Sequence, residues 1–413
     1  MSLTAIAAAG ALALAGCSGG VASQGGGSSN TSAAAGACST LLIGAPFPFS
    51  GPFSEIATTG YQGTELAVDQ INKAGGIKAL GGAKLSLQKG DTSSLDTTQA
   101  SSAATKLISD GAIALNGAWA TTLTAPIAPV AERAQVPLLT QAWADTLSQQ
   151  GYKYYFQPPA KSSQLGASGA QYVIDAAKAA GVSFATVAVV APNDVANQTQ
   201  YNGAAKTFAD QGAKVPKPVF YQTGITDVTP IVNTISSEKP DLILTGGSPA
   251  DATLIVKGLR AAGITVPMMS FGGAFSGTAP SFAKSLGDAV NGLTVVTNWN
   301  GDLPLDGVKE AATAYEAKYG TTYMPDLAGE SWVNTYLIAA ALEKAKSCKP
   351  ADIATALRSL DEKSGPASAI PGDGVSFTDA GTNPNAVPIL LQWQDGVPKT
   401  IWPSKYASAK FTD

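Results

Sequence analysis

Histidine is absent from this chain of 413 residues. Its absence removes the commonest general base of enzymes, the serine–histidine–aspartate triad and most zinc sites. Charged residues make up only 14% of the sequence, the formal net charge is −4, and no long basic run occurs. Because binding of nucleic acid phosphates requires clustered lysine and arginine, nucleic acid is not an expected partner.

Motifs for catalysis or for cofactors are also missing. None of the three cysteines lies in a CxxC pair, and no GxGxxG, P-loop, HExxH or EF-hand pattern occurs. Gly16-Cys17-Ser18-Gly19-Gly20 has the spacing of a GxSxG nucleophile elbow. It does not lie between a strand and a helix, as that motif requires. The sequence therefore predicts a protein that is not an enzyme and that uses no metal and no cofactor.

The first 37 residues predict export and anchoring. Residues 3–15 are apolar, of signal-peptide length, and too short to span a bilayer as a permanent helix. They run into Leu14-Ala15-Gly16-Cys17, which resembles the lipobox of bacterial lipoproteins, although no basic residue precedes it. We therefore expect a signal peptide at 1–16, a lipid on Cys17 and a disordered tether over 17–37, where no aromatic residue occurs. The alternative is a buried N-terminal helix, which the polar linker disfavours.

From residue 41 onward, strands and helices are predicted to alternate. Short apolar runs predict strands at 41–45, 85–89, 112–116, 137–140, 186–190, 219–222, 241–244, 267–270, 293–297 and 387–393. Helical spacing predicts helices at 61–74, 97–109, 121–134, 164–180, 199–211, 228–237, 249–262, 308–319, 327–345 and 351–360. This order indicates parallel sheets with right-handed crossovers. Because proline fixes an extended chain, residues 154–159, which end in Pro158-Pro159, are interpreted as a linker between two lobes.

The stretch 41–76 also carries a resemblance. Ser50-Gly51-Pro52, followed by the motif of residues 63–77, is similar to the opening of the leucine/isoleucine/valine-binding protein family. These are the type I periplasmic binding proteins that feed ABC importers. Further similarity covers nearly everything after residue 40, through Gly117-Ala118-Trp119, the segments 129–137 and 151–154, Pro240-Asp241, Ala261-x-Gly263 and Ala311-x-x-Tyr315.

The resemblance implies an α/β Venus-flytrap fold of two Rossmann-like lobes joined by a three-strand hinge. The chain would cross between lobes near Pro158, near Asn300 and within 383–388. Residues 38–157 with 301–384 would form the N-terminal lobe, and 158–300 with 385–413 the C-terminal lobe. It further implies a monomeric substrate-binding lipoprotein, periplasmic or on the outer face of the cytoplasmic membrane, with a small-molecule ligand and a membrane permease as partners.

Loops that follow strands are the expected ligand site, because ligands of open parallel sheets bind at the carboxyl ends of strands. Thr121 aligns with the family position whose hydroxyl binds a ligand carboxylate, and it starts a helix whose amides favour an anion. Trp119 and Trp143 either stack on the ligand or pack as ordinary core residues. The full set of expected contacts is Ser50, Gly51, Ile56, Trp119, Ala120, Thr121, Ala142, Trp143, Ala144, Asp145, Asn193, Asp194, Ala196, Ser248, Phe271, Gly272 and Gly273.

Three of these positions depart from the amino-acid binders of the family. Ala144 and Ala196 stand where those binders have threonine and tyrosine, and Gly272 replaces the acidic residue that pairs with the ligand ammonium. We therefore expect a carboxylate or amide ligand with a planar or apolar body. The alternatives are a branched-chain amino acid whose ammonium pairs with Asp145 or Asp194, and a sensing module of the same fold. The end of the chain at Asp413, without a receptor segment, favours transport over sensing.

Cys38 and Cys348 remain as an even pair once Cys17 is lipidated. In an exported protein such a pair predicts a disulfide, here between the first strand and the end of a late helix. Two unpaired thiols are the alternative.

Overall fold

A computed structural model describes Cys38 and residues 41–271 and 277–412. Within these residues fourteen strands and eleven α-helices alternate along the chain. Most of the strands belong to two separate sheets, and helices pack around each sheet. We call the elements around the first sheet the first lobe and those around the second sheet the second lobe. This architecture confirms the predicted α/β fold class.

The first sheet is wholly parallel. Its strands are β1 (Leu41–Phe47), β2 (Leu85–Asp91), β3 (Ala114–Asn116), β4 (Leu138–Leu139) and β5 (Tyr155–Phe156). They lie side by side in the order β2-β1-β3-β4-β5. All seven residues of β1 are buried, as expected of an inner strand that helices cover on both faces.

The second sheet is mixed. The remaining strands are β6 (Val187–Pro192), β7 (Val219–Tyr221), β8 (Leu242–Thr245), β9 (Met268–Phe271), β10 (Thr294–Thr297), β11 (Asp361–Glu362), β12 (Val375–Ser376), β13 (Ile389–Gln394) and β14 (Val397–Trp402). Seven of them form the sheet in the order β14-β13-β10-β9-β8-β6-β7, and β11 pairs with β12 in a separate ribbon. The hairpin β13–β14 is antiparallel to its neighbours, whereas β6 to β10 are parallel.

Eleven α-helices are described. They are α1 (Ser54–Lys73), α2 (Thr97–Ser109), α3 (Thr121–Ala134), α4 (Ser162–Ala179), α5 (Val195–Asp210), α6 (Thr229–Glu238), α7 (Pro249–Ala261), α8 (Pro280–Leu286), α9 (Val308–Tyr319), α10 (Asp326–Ala345) and α11 (Pro350–Arg358). α9 and α10 pack on α1, and α11 packs on α10, so the chain returns to the first lobe after β10. The bounds predicted for α2, α3 and α9 are confirmed.

Capping chemistry explains why one of these helices could be predicted so closely. The Asp96 side chain accepts hydrogen bonds from the backbone N–H groups of Thr98 and Gln99, at 2.8 and 3.0 Å. A carboxylate at this position satisfies amides that have no partner within the helix. The local sequence therefore determines where α2 begins.

Several predicted boundaries differ from the structure, including that of α5, which begins at Val195 and not at 199; two predictions differ the most. α1 begins at Ser54, seven residues before the predicted start at 61; buried Phe53 and Ile56 anchor its extra turns in the core. Residues 154–159 are not a plain linker, because β5 within them pairs with β4 of the first sheet. α8, β14 and the ribbon of β11 and β12 were not predicted from the sequence.

The chain segments that pass between the lobes are bonded to one another. The Gln157 N–H donates to the Gly381 carbonyl at 2.7 Å, and the Asn383 N–H donates to the Gln157 carbonyl at 3.1 Å. The Ala160 N–H donates to the Asn298 side-chain oxygen at 3.1 Å. The first crossing is thus tied to both of the later ones, which gives the two lobes a common hinge.

Close packing and one covalent link fix the first lobe. A Cβ on Gly63 of α1 would lie 1.9 Å from the Ala328 carbonyl oxygen of α10, so only glycine allows these helices to approach so closely. A disulfide joins Cys38 to Cys348, with 6.0 Å between their Cα atoms. This is the pairing that the sequence predicts. It ties the segment before β1 to the loop between α10 and α11.

Candidate functional site

A cleft of about 340 Å³ lies between the two lobes. Its walls are loops that follow β1, β2, β3 and β4 of the first lobe and β6 and β7 of the second. The lining residues are Phe53, Leu95, Trp119, Ala120, Thr121, Thr122, Trp143, Asn193, Asp194, Ala196, Gln222 and Thr223. Carboxyl ends of parallel strands are where open α/β sheets bind ligands, and the volume lies at the lower end of the usual range for small-molecule pockets.

The first-lobe wall is aromatic. The rings of Phe53 and Trp119 meet edge to face, with centroids 5.3 Å apart and planes at 87°. Trp143 follows β4, which pairs with the strand that precedes Trp119, so the two indoles belong to neighbouring loops. Both indoles are almost fully buried, with exposed fractions of 2% and 3%. This wall offers flat, apolar surfaces to whatever enters the cleft.

A helix begins at the same wall. α3 starts at Thr121, and Ala120 at its N-cap provides no side-chain acceptor. Unsatisfied amides and the helix dipole at such a start favour an acceptor or an anion. The hydroxyl of Thr124, one turn further on, donates instead to the Ala118 and Ala120 carbonyls. Thr121 and Thr122 are therefore the hydroxyl groups that this helix presents to the cleft.

The second-lobe wall carries the one carboxylate among the cleft-lining residues that the structure describes, that of Asp194. It caps α5: one oxygen accepts the Asn197 N–H at 3.0 Å and the other accepts the Asn197 side-chain amide at 2.5 Å. The neighbouring Asn193 is held by its own N–H, which donates to the Tyr221 carbonyl at 2.8 Å. Burial raises the pKa of the Tyr221 hydroxyl, which stays neutral and donates to the Gly246 carbonyl.

One buried donor in the cleft wall has no partner. The indole N–H of Trp143 makes no hydrogen bond, and it is the only buried side-chain donor or acceptor among the described cleft-lining residues of which this is true. Buried polar groups are nearly always paired, and leaving one unpaired costs about 1–3 kcal/mol. The Trp143 N–H is therefore an unpaired donor within the cleft wall.

The structure brings together some of the expected contacts and not others. Trp119, Ala120, Thr121, Trp143, Asn193, Asp194 and Ala196 line the cleft. Gly272 and Gly273 lie outside the described residues. The expected contacts that do not line the cleft are Ser50, Gly51, Ile56, Ala142, Ala144, Asp145, Ser248 and Phe271.

Those outlying residues have identifiable local roles. The Ser50 carbonyl accepts the Ser94 hydroxyl at 2.5 Å, which holds the loop after β1, where Gly51 has φ +88°. Asp145 accepts the N–H and the hydroxyl of Ser163, at 3.0 and 2.6 Å. Ser248 caps α7 through the Asp251 N–H.

The others are packed away from the cleft. Ala142 and Ala144 are buried, and Phe271 packs edge to face on Tyr201 with ring centroids 5.0 Å apart. Ile56 lines a separate small cavity between the lobes, together with Asp326.

Five cleft residues were missed among the expected contacts: Phe53, Leu95, Thr122, Gln222 and Thr223. Thr122 adjoins an expected contact, and Gln222 follows directly after β7, so the rule about strand ends could have found both. Phe53 and Leu95 lie several residues beyond their strands, and nothing in the local pattern marks them.

A second set of contacts between the lobes, which we call the seam, consists of Glu55, Thr278, Ser281, Thr297 and Asp326. The hydroxyls of Thr278 and Thr297 donate to the two Asp326 oxygens, both at 2.7 Å. The Ser281 N–H donates to Glu55 at 2.8 Å, and its hydroxyl donates to the other oxygen of the same carboxylate. Here carboxylates of the first lobe bind donors of the second.

Glu330 lies one turn after Asp326 on α10 and differs from it. Both of its carboxyl oxygens are buried and have no hydrogen-bond partner. Burial raises the pKa of Glu330 well above its usual range, and the nearby Asp326 charge acts in the same direction. A carboxyl that burial makes harder to ionise therefore lies behind the seam.

Among the described residues, no helix is both long and apolar enough to cross a membrane. The same residues contain no group of three or more acidic or cysteine side chains placed to hold a metal ion.

Comparison with known proteins places this geometry in context. A family described as periplasmic binding protein matches residues 40–396. The Leu/Ile/Val-binding protein homolog 8 of Brucella melitensis is 28% identical over 382 residues, which cover 91% of this chain and 93% of that protein.

Two solved structures have the same fold. The branched-chain amino acid transporter substrate-binding protein of Streptococcus pneumoniae, in complex with isoleucine, matches with a TM-score of 0.74 and 23% identity, over 88% of this chain and 100% of that one. A solute-binding protein of an R. palustris ABC transporter, in complex with benzoate, matches with a TM-score of 0.74 and 21% identity, over 90% and 98% of the two chains.

Proposed function

The chain belongs to the periplasmic binding protein family, and we propose that it is the extracytoplasmic substrate-binding protein of an ABC importer of the branched-chain amino acid type. The observation that carries the proposal is the interlobe cleft, which loops at the carboxyl ends of strands from both lobes line together. The relatives support it, because they are named as binding proteins or as parts of ABC transporters. A membrane permease would be the partner.

The proposed mechanism is binding followed by hinge closure, without bond chemistry. A ligand that contacts both walls of the cleft favours the closed arrangement, because only there does it bind both lobes at once. In this proposal residues 38–157 with 301–384 move as one lobe and 158–300 with 385–413 as the other. The bonded crossings at Gln157 and Asn298 would serve as the hinge.

The proposed ligand is small and bears a carboxylate or an amide. The start of α3, with Thr121 and Thr122, is the group best suited to hold it, since helix amides attract acceptors. Among the relatives, one structure holds isoleucine and another benzoate, and both carry a carboxylate. The ligand-contacting residues that we propose are those of the cleft.

We further propose that the protein is exported, acts as a monomer and is anchored by a lipid on Cys17, with residues 17–37 as the tether. These residues lie outside the described part of the chain, so the proposal rests on the sequence. Cys17→Ala should move the protein from the membrane to the soluble fraction, whereas Ser18→Ala should not. Membrane attachment of Cys17→Ala that persists through a high-salt wash would contradict the anchor.

A ligand screen tests the main proposal. The thermal stability of the purified protein is measured with amino acids, amides, and aliphatic and aromatic carboxylates. A true ligand at a hundredfold excess over its Kd should add about 2.7 kcal/mol to the free energy of unfolding, and solution scattering should show a more compact protein. If no class of compound raises the stability, the proposal is wrong.

The screen is followed by uptake measurements in the native host. Deletion of the gene should abolish uptake of the ligand that the screen identifies. Unchanged uptake with a lost cellular response would indicate a sensor instead.

A further inference from the structure

We propose that the ligand is an aromatic carboxylate or amide without an ammonium group, and that it accepts a hydrogen bond from the Trp143 indole. This inference rests on the proposed function and specifies the substrate class of the same cleft. Three independent observations lead to it: an unpaired donor, an aromatic wall and the state of Asp194, the one carboxylate among the described cleft-lining residues.

The unpaired Trp143 donor can be satisfied only by a hydrogen-bond acceptor. The Trp143 ring lines the cleft and its N–H has no partner. An indole N–H can only donate, so a group that satisfies it must be an oxygen or another acceptor. A ligand carboxylate or amide carbonyl is such a group, and the start of α3 on the same wall favours an acceptor as well.

The aromatic wall specifies the body of the ligand. Phe53 and Trp119 already meet edge to face, and Trp143 lies on the neighbouring loop. Aromatic side chains prefer offset-stacked or edge-to-face partners, and such pairs gain energy beyond plain burial of area. A flat ring fits against this wall better than a branched aliphatic side chain.

The described residues of the cleft lining offer no ready counter-charge for an ammonium. Both Asp194 oxygens are already bonded to Asn197 in capping α5. Burial of an ammonium without a dedicated counter-charge is costly, so an α-amino acid is a poor match for this wall.

Calorimetric titration with named probes tests the inference. The probes are benzoate and benzamide as aromatic acceptors without an ammonium, cyclohexanecarboxylate as a ring without aromaticity, and leucine as an amino acid. We expect benzoate or benzamide to bind at least tenfold more tightly than cyclohexanecarboxylate, and leucine to bind the most weakly. Tighter binding of leucine or of cyclohexanecarboxylate would overturn the inference.

One substitution, with a control, tests the contact with Trp143. Trp143→Phe keeps a ring but removes the N–H, and it should weaken binding of the aromatic probe about tenfold to a hundredfold, as expected for a lost hydrogen bond to a charged group. Trp402→Phe, remote from the cleft, is the matched control. An unchanged affinity in Trp143→Phe would show that the Trp143 N–H does not bond to the ligand and would overturn that part of the inference. The thermal stability of each ligand-free variant shows that it is folded.

Removal of the Asp194 charge should change the affinities of the two ligand classes in opposite directions. Asp194→Asn removes a negative charge from the cleft, so it should tighten binding of an anionic probe and weaken binding of one held through an ammonium. Asp210→Asn, at the far end of the same helix, is the control.

The outcomes separate the inference from the function on which it rests. Leucine binding that Asp194→Asn abolishes would overturn the inference and leave the substrate-binding function intact. Failure of every class of compound in the wider screen would overturn the function itself.

Discussion

The seam and the cleft both lie between the same two lobes, yet their polar groups are used differently. At the seam, Asp326 and Glu55 of the first lobe accept hydrogen bonds from Thr278, Thr297 and Ser281 of the second. In the cleft wall a buried indole N–H has no partner. The contrast shows that the polar groups of the seam satisfy one another, while the described cleft wall leaves one donor unpaired.

The largest expected effect comes from breaking the seam. Asp326→Ala removes the acceptor of two buried hydroxyl groups, and we expect it to lower the free energy of unfolding by about 3 kcal/mol, because hydrogen bonds to charged groups contribute about 1.5–3 kcal/mol each. Urea unfolding measures this value. Asp373→Ala is the control, since that side chain is 91% exposed. Equal urea midpoints for the two variants would show that the seam contributes nothing.

The unpaired carboxyl behind the seam should show a pH dependence. The folded protein holds Glu330 neutral to higher pH than the unfolded chain does, where its pKa is about 4.3. Below that pH both states are protonated; above it the unfolded state binds fewer protons, so wild-type stability falls.

Glu330→Gln removes this loss, since an amide does not titrate. Its advantage in unfolding free energy over wild type should grow as the pH rises above the pKa of the unfolded chain, by up to about 1.4 kcal/mol per pH unit. Urea unfolding at a series of pH values measures it, with the exposed Glu310→Gln as control. An advantage that does not change with pH would mean that Glu330 ionises normally.

A milder change at the seam should alter the balance between open and closed forms. Ser281→Ala deletes one hydroxyl bond to Glu55 and keeps the N–H bond. We expect a loss of about 1 kcal/mol in the closed form, visible as a larger radius of gyration of the ligand-free protein in solution scattering. Ser236→Ala, whose hydroxyl bonds within α6, should leave the radius unchanged.

The smallest effect is expected in the cleft. Trp143→Phe should change the unfolding free energy of the ligand-free protein by less than about 1 kcal/mol, because removal of an unpaired donor offsets part of the lost packing. Trp393→Phe is the matched comparison, since its buried N–H donates to the Gly277 carbonyl at 2.7 Å. If Trp143→Phe lowers the free energy of unfolding more than Trp393→Phe does, the Trp143 N–H is paired in solution.

The sequence predicted the fold where local rules decide it. α2 begins at an aspartate cap, and α9 ends at Gly320, whose left-handed backbone suits a helix end. β5 was not predicted because it has only two residues, Tyr155 and Phe156, which are too few to show a strand pattern and lie close to two prolines. Its existence depends on pairing with Leu138–Leu139, which lies far away along the chain.

In the cleft, too, local sequence predicts some of the lining residues and not others. Trp119, Thr121 and Asn193 were expected there because each lies in or at the end of a loop that follows a strand, and the structure places all three in the lining. Asp145 also follows a strand, but Ser163 at the start of α4 holds its carboxylate outside the lining. Which loop residue turns toward the cleft depends on such distant partners, which local sequence does not encode.

The Cys38–Cys348 disulfide has a mechanical consequence. β1 begins three residues after Cys38 and lies between β2 and β3 in the first sheet. Tension applied through a tethered N-terminal segment would otherwise peel this inner strand away one hydrogen bond at a time. The covalent link diverts that load to the loop between α10 and α11. If the chain is tethered through the segment before Cys38, a pull would load the junction of α10 and α11, while the strands that carry the Trp119 and Trp143 loops remain unloaded.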